Sequence, residues 1–179
     1  MQACNTSLLV KKRSMNNIQK KDTTCLFTGH RALPLEGRDL DWLEQELKKE
    51  IRAAYDRGYR TFFSGGAAGF DLLCAMTVIN LRQSELPDLR LIFALPCYNH
   101  YKGWDKNDKM LFAHLLERAD DTVYVSEDYT QGCMHKRNRY MVDNSSLCIA
   151  YCTKSTGGTA YTVNYAQKNG VSTRWLTLI

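Results

Sequence analysis

The chain has 179 residues, 44% of them hydrophobic and 24% charged, with a formal net charge of +5. That length suits a single domain with a sizeable buried core, and no stretch approaches the roughly 18 apolar residues of a membrane span. The excess charge comes from Lys11, Lys12, Arg13, Lys20 and Lys21, and the rest balances at 19 basic against 19 acidic residues, so the body of the protein is not expected to bind nucleic acid through a basic surface.

In chain order, residues 1–21 are polar and unpatterned, which predicts a disordered basic tail. Met15 offers a second candidate start within it. From residue 22 to 179 apolar runs alternate with helical patterns, the signature of βαβ units in one domain. Strands are predicted near Thr24–Thr28, Arg60–Ser64, Arg90–Leu95, Thr122–Ser126, Ser146–Tyr151 and Thr173–Leu178. Between the first two, Leu40, Leu43, Leu47, Ile51 and Ala54 recur at helical spacing, and Gly58 offers a left-handed stop. A second helix over Phe70–Gln83 is apolar nearly all round, which argues burial against the sheet. Further helices fit Asn107–Ala119, Met134–Asn144 and Thr159–Asn169. The fold class that follows is α/β, a Rossmann-like three-layer α/β/α sandwich whose mostly parallel sheet has about six strands. The pattern leaves the strand order open, as it does homo-oligomerisation. Seven cysteines without any Cys-x-x-Cys, several inside apolar segments, read as free thiols in a reducing cytoplasm.

Three short turns follow apolar runs. They are Thr28-Gly29-His30-Arg31, the run Ser64-Gly65-Gly66-Ala67-Ala68-Gly69 ahead of Asp71, and Ser155-Thr156-Gly157-Gly158-Thr159. In a parallel sheet they share the carboxyl rim, where helix starts aim free N–H groups at an anion. Gly65 and Gly66 would allow close backbone approach to a ligand, and Gly69 positive φ or tight helix–sheet contact. Asp71 would cap backbone donors or hold a ribose hydroxyl. Arg31 offers a planar fork for phosphate, His30 a bond to phosphate or ribose oxygen, and Thr159 a hydroxyl to donate. Arg31 paired with Glu36 or Asp39 is the alternative. One helix start holds charge by only ~0.3–1 kcal/mol, so two turns at least must converge for useful affinity.

Helical spacing puts Met134, Arg137, Asn138 and Met141 on one face, which makes Arg137 and Asn138 further candidates for the cleft. Cys97 and Tyr98 follow the third strand; packing is the simpler role for the thiol, and Tyr98 or Trp104 could stack on a base or serve the core. His100, His114 and His135 show no ligand spacing with cysteines or carboxylates, so no metal site is expected.

The same turns carry a family resemblance. Cys25-Leu26-Phe27-Thr28-Gly29-His30-Arg31 and Ser64-Gly65-Gly66-Ala67-Ala68-Gly69-Phe70-Asp71 resemble the YpsA-type branch of the SLOG superfamily. Two later blocks extend the likeness: Gly132-Cys133-Met134-His135-Lys136-Arg137-Asn138-Arg139-Tyr140-Met141-Val142-Asp143, and Gly157-Gly158-Thr159-Ala160-Tyr161-Thr162-Val163. The match runs in order from about Thr23 to Ile179. It implies a Rossmann-like fold and a nucleotide-like small-molecule partner such as NAD, ADP-ribose or a nucleoside phosphate, with catalysis undecided. The superfamily's LOG phosphoribohydrolases carry Pro-Gly-Gly-x-Gly-Thr-x-x-Glu, whereas here Ala160-Tyr161-Thr162-Val163-Asn164 follows Thr159 with no glutamate. DprA, a relative with a similar Ser-Gly-Gly loop, implies a third reading, single-stranded DNA binding. The leading expectation is binding or sensing of a nucleotide-derived phosphorylated ligand; an N-glycosidic or phosphoribosyl hydrolase is the alternative.

Overall fold

The computed structural model describes residues 21–33 and 37–177. The basic tail up to Lys20, Glu36 beside the first turn, and Leu178 at the expected end of the sixth strand lie outside the described residues.

A 3-10 turn at Lys21–Thr23 leads into β1 (Thr24–Gly29), α1 (Arg38–Asp56), β2 (Thr61–Ser64), α2 (Phe70–Ser84) and β3 (Arg90–Leu95). There follow α3 (Lys106–Arg118), β4 (Asp121–Tyr124), α4 (Cys133–Asp143), β5 (Leu147–Tyr151), α5 (Gly158–Lys168) and β6 (Ser172–Trp175). All six strands run parallel in the order β4-β3-β2-β1-β5-β6. The chain steps outward from β1 to β4, then returns to lay β5 on the other side of β1. Right-handed crossovers therefore put α1, α2 and α3 on one face and α4 and α5 on the other.

Strand side chains alternate between those faces. Cys25, Phe27, Phe62, Leu91, Phe93, Leu147 and Ile149 pack with Leu43, Leu47 and Ile51 of α1 and most of α2. Leu26, Phe63, Ile92, Ala94, Cys148 and Ala150 pack with Met141 and Val142 of α4 and Val163 and Ala166 of α5. The amphipathic stripe of α1 thus faces the sheet, with Lys48 3.9 Å from Glu44 on the wet side. The apolar girth of α2 reflects its place at the centre of its layer, between α1 and α3. Cys25, Cys74, Cys97, Cys133 and Cys148 are buried free thiols and Cys152 is half-buried. Burial pushes the Cys148 thiol up to about 12 and raises Cys25 and Cys74 well above the ordinary thiol value.

One consequence of the strand order positions the site. The connections leaving β1 and β5 depart toward opposite faces, so the carboxyl rim opens between them, at the point where such sheets hold ligands.

Two glycines at helix starts differ in what they tolerate. Gly69 has φ +79, and a Cβ there would collide with the Arg31 backbone carbonyl. Gly157 has φ +98 but faces open space. Positive φ alone costs about 1–2 kcal/mol for alanine, and overpacking adds about 1–3 kcal/mol. Urea denaturation should therefore show Gly69→Ala losing about 3 kcal/mol and Gly157→Ala about half that; equal losses would contradict the packing at Gly69.

Candidate functional site

A cleft of about 610 Å³ opens between the ends of β1 and β5. The end of β1 supplies Gly29, His30 and Arg31; α2 supplies Asp71; α4 supplies Met134, His135, Arg137, Asn138 and Met141. The loop into α5 supplies Lys154, Thr156, Gly157, Gly158 and Thr159. Its size falls within the roughly 300–1,000 Å³ of small-molecule sites.

Arg137 is the centre of the polar floor. It is only 5% exposed. Its Nη1 donates to the Gly65 carbonyl and, at 3.4 Å, to that of Ala94, while Nε donates to Asn138 Oδ1 at 2.7 Å. Asp71 Oδ2 lies 4.0 Å from Nη1 and accepts the Ala67 N–H at 3.3 Å. Asn138 Nδ2 in turn donates to Thr162 Oγ1 at 2.7 Å, and Thr162 donates to the Gly158 carbonyl at 2.8 Å. A single chain of polar contacts thus runs from α2 through α4 to the start of α5. Burial pushes the Asp71 carboxyl up from its ordinary range, opposed by the Arg137 guanidinium and then the Ala67 amide. Burial also lowers Arg137, opposed by Asp71. Desolvation outweighs attraction at both ends of this pair.

The two helix starts at the rim are not alike. At α2, the Gly66 N–H goes to Ser64 Oγ at 3.2 Å, Ala67 N–H goes to Asp71, and Phe70 N–H goes to the His30 carbonyl at 3.1 Å. At α5, Gly157 places no capping side chain over the first-turn amides, and a Cβ on Gly157 or Gly158 would meet nothing within 4 Å. Gly69 likewise places no capping side chain over α2, but α2 carries Asp71 in its first turn and gives its Phe70 N–H to His30. In contrast, α5 has no acidic residue in its first turn, so of these two α5 is the terminus that favours an anion.

Of the residues singled out from sequence, Gly29, His30, Arg31, Asp71, Arg137, Asn138, Gly157, Gly158 and Thr159 line the cleft together. Ser64, Gly65, Gly66 and Gly69 do not. Gly65 is bare because Arg137 and Asp71 press against it, and Gly66 packs on Leu95, Phe112 and Phe93. Ser64 is fully buried, its hydroxyl donated to the Asp71 carbonyl at 2.9 Å. Two of the lining groups are already engaged. Thr159 Oγ1 donates to the Gly29 carbonyl at 2.9 Å, so its proton is not free for a phosphate. His30 Nε2 accepts the Thr153 N–H at 2.8 Å. Arg31 is exposed, and among the described residues its hydrogen-bond partner is Met134 Sδ at 3.9 Å. The face predicted for α4 is realised: Met134, Arg137, Asn138 and Met141 all reach the cleft. Sequence reasoning passed over Lys154, an exposed cation beside the third turn, and weighed His135 only as a metal ligand, whereas it lines the cleft and packs edge-on to Tyr161 at 4.3 Å. Cys97 is fully buried with its thiol pKa raised by burial, Tyr98 packs on Tyr124 at 4.2 Å, and Trp104 packs on Phe112.

Among the described residues, a six-stranded parallel sheet with five α-helices and a rim cleft at its switch point defines a Rossmann-like α/β protein. Residues 25–177 match the model of the YspA SLOG family, and the chain belongs to that YpsA-type family. It is 30% identical over 148 residues to the uncharacterized SPbeta prophage-derived protein YoqJ of Bacillus subtilis (strain 168), covering 76% of this chain and 82% of that one. It is 23% identical over 134 residues to a UPF0398 protein of Bacillus thuringiensis (strain Al Hakam), covering 73% and 72%. Among solved structures, the single-stranded-DNA-binding DNA processing protein A of Helicobacter pylori superposes with TM-score 0.61 at 17% identity, over 90% of this chain and 68% of that one. DprA of Streptococcus pneumoniae gives 0.61 at 15%, over 89% and 52%. These likenesses are of fold. Among the described residues no helix is long and apolar enough to cross a membrane.

The Asp71–Arg137 pair sets a sign for pH dependence. With its pKa raised on folding, Asp71 binds its proton more tightly in the native state, so its contribution to stability declines as pH rises above about 4 through that raised value. Urea denaturation between about pH 4 and 7 should show wild type losing stability relative to Asp71→Asn as pH rises. The opposite slope would mean the pair is net attractive. Arg137→Met, which strands the buried carboxylate and the Gly65 carbonyl, should cost about 3–5 kcal/mol, more than Asp71→Asn.

Proposed function

We propose that this cleft binds or senses a nucleotide-derived phosphorylated ligand of the NAD, ADP-ribose or nucleoside phosphate class. The observation that carries the reading is the meeting, at the switch point, of an uncapped α5 terminus with two exposed cations, Arg31 and Lys154. The helix terminus supplies only ~0.3–1 kcal/mol, whereas a hydrogen bond to a charged group supplies roughly 1.5–3 kcal/mol. The side-chain cations therefore dominate, and they stand where a phosphate would lie against Gly157 and Gly158. Asp71, on the α2 side of the cleft, is an acceptor for a hydroxyl and repels a phosphate, which gives the ligand a direction. Asn138, Met134 and His135 form the wall left for a base.

Hydrolysis is the weaker reading. In the Gly-Thr-x-x-Glu spacing of the LOG proteins, the glutamate position falls on Thr162, a fully buried hydroxyl already bonded to Asn138 and Gly158. A threonine there cannot take the carboxylate's part in acid–base chemistry. Among the described residues, Asp71 is the one carboxylate that lines the cleft.

Calorimetry against ADP-ribose, NAD, AMP and a single-stranded oligonucleotide tests the proposal. ADP-ribose or NAD should bind, Arg31→Ala and Lys154→Ala should each weaken binding about tenfold, and affinity should fall with salt. Binding of none of the nucleotides would sink the reading. Binding of the oligonucleotide alone would transfer the site to a DNA-processing role. Release of free base from AMP or NAD that is lost in Asp71→Asn would make it a hydrolase.

A further inference from the structure

The contact between His30, which lines the cleft, and Thr153 joins residues 123 apart in sequence. A backbone N–H can only donate, so the ring nitrogen facing it, Nε2, carries no proton, and a neutral His30 holds its proton on Nδ1. Thr153 Oγ1 lies 3.0 Å from the same nitrogen. The ring is fixed edge-on to Tyr151, centroids 5.7 Å apart, and the His30 carbonyl is anchored by the Phe70 N–H. Further along, Thr159 Oγ1 ties the start of α5 to the Gly29 carbonyl. The loop is therefore pinned to β1 at two points, and between them stand Lys154, Gly157 and Gly158. Protonating Nε2 would set one N–H against another at 2.8 Å, which turns an attractive contact into a repulsive one.

We infer that His30 is a positioning residue that acts as a proton-operated latch: as a neutral imidazole it holds the 153–157 loop against β1, and as imidazolium it releases that loop. Of the charged and titratable groups near it, Lys154 beyond β5 acts on the ring, Tyr151 packs against it and is itself felt by Asp39 of α1, Arg31 is its chain neighbour, and Asp71 of α2 and Arg137 of α4 line the same cleft. Burial first, and the Lys154 charge second, already depress its pKa from 6.5. The closed latch binds fewer protons than the open one, so acid favours opening, beginning below about pH 6.5, where a freed imidazole titrates. The ligand arm of the test rests on the nucleotide-binding reading above; the latch itself does not.

NMR of the full ligand-free chain between about pH 5 and 8 decides it. At neutral pH the His30 ring should show the Nδ1–H tautomer, with a midpoint below 6.5. The Thr153 amide should be protected from exchange, and that protection should fall by up to about tenfold per pH unit in acid. His30→Gln, whose Oε1 accepts the same N–H without titrating, should keep the protection and lose its pH dependence. ADP-ribose is a suitable probe because its pyrophosphate does not titrate here. Its affinity should fall in acid for wild type and stay flat for His30→Gln. An Nε2–H tautomer, a Thr153 amide indifferent to the ring's titration, or the same acid loss of affinity in His30→Gln would overturn the latch. Absence of ADP-ribose binding at every pH would count against the proposed ligand and leave the Thr153 titration to judge the latch.

Discussion

A guanidinium buried above the centre of a parallel sheet is the constraint on which the carboxyl rim depends. Arg137 arrives from α4 on one face and donates across the strand ends to the Gly65 carbonyl beyond β2, beside Asp71 of α2 on the other face. Its charge has left water, and the compensation comes from fixed carbonyls and one carboxylate rather than from a tight ion pair. Every neighbour is shaped accordingly. Gly65 is bare to let the guanidinium pass, Ala94 turns its carbonyl toward it, and Asn138 relays the order to Thr162 and the start of α5. An arrangement in which burial outweighs attraction is poor for stability and serves to hold polar groups still at a cleft wall.

Charges of both signs meet at that wall. A carboxylate partly answered by the Arg137 guanidinium shares the cleft with two exposed cations, Arg31 and Lys154, and the positive end of α5. Two helix starts of similar sequence have thereby acquired different duties. The α2 start carries Asp71 in its first turn and gives its Phe70 N–H to the His30 carbonyl, while Ser64 and Asp71 hold the Gly66 and Ala67 amides of the loop before it. The α5 start is left open. A rim that used both termini for anions would have lost the tie between α2 and β1.

The layers, six strands and five helices were readable because alternating faces and helical stripes are local patterns. So was the cleft face of α4, since Met134, Arg137, Asn138 and Met141 stand at helical spacing. The strand order was not readable, being set by which neighbours pair across long crossovers. The glycines of the second turn signalled close approach, but the sequence does not say to what. Gly65 and Gly69 lie against the protein's own Arg137 and Arg31. His30 and Thr159 looked like free ligand contacts, yet His30 Nε2 and Thr159 Oγ1 are already engaged by partners 123 and 130 residues away. Lys154 belongs to no pattern, and only the return of β5 beside β1 gives it a role. Polar satisfaction is a tertiary property, and a motif lists donors without saying which are already engaged.

The buried thiols give the sheet a chemical clock. At neutral pH a group pushed up to about 12 is almost wholly protonated, and Cys148 sits in β5 beside β1, far from any reagent. Cys25, opposite Leu147 on β1 and turned to the other face of the sheet, has its own thiol raised well above the ordinary value. Alkylation at these positions waits for the central pair of strands to part, while the half-buried Cys152 at the rim reacts without that wait. The interval between the two events measures how long the core stays shut, on the unmodified chain and without any added label.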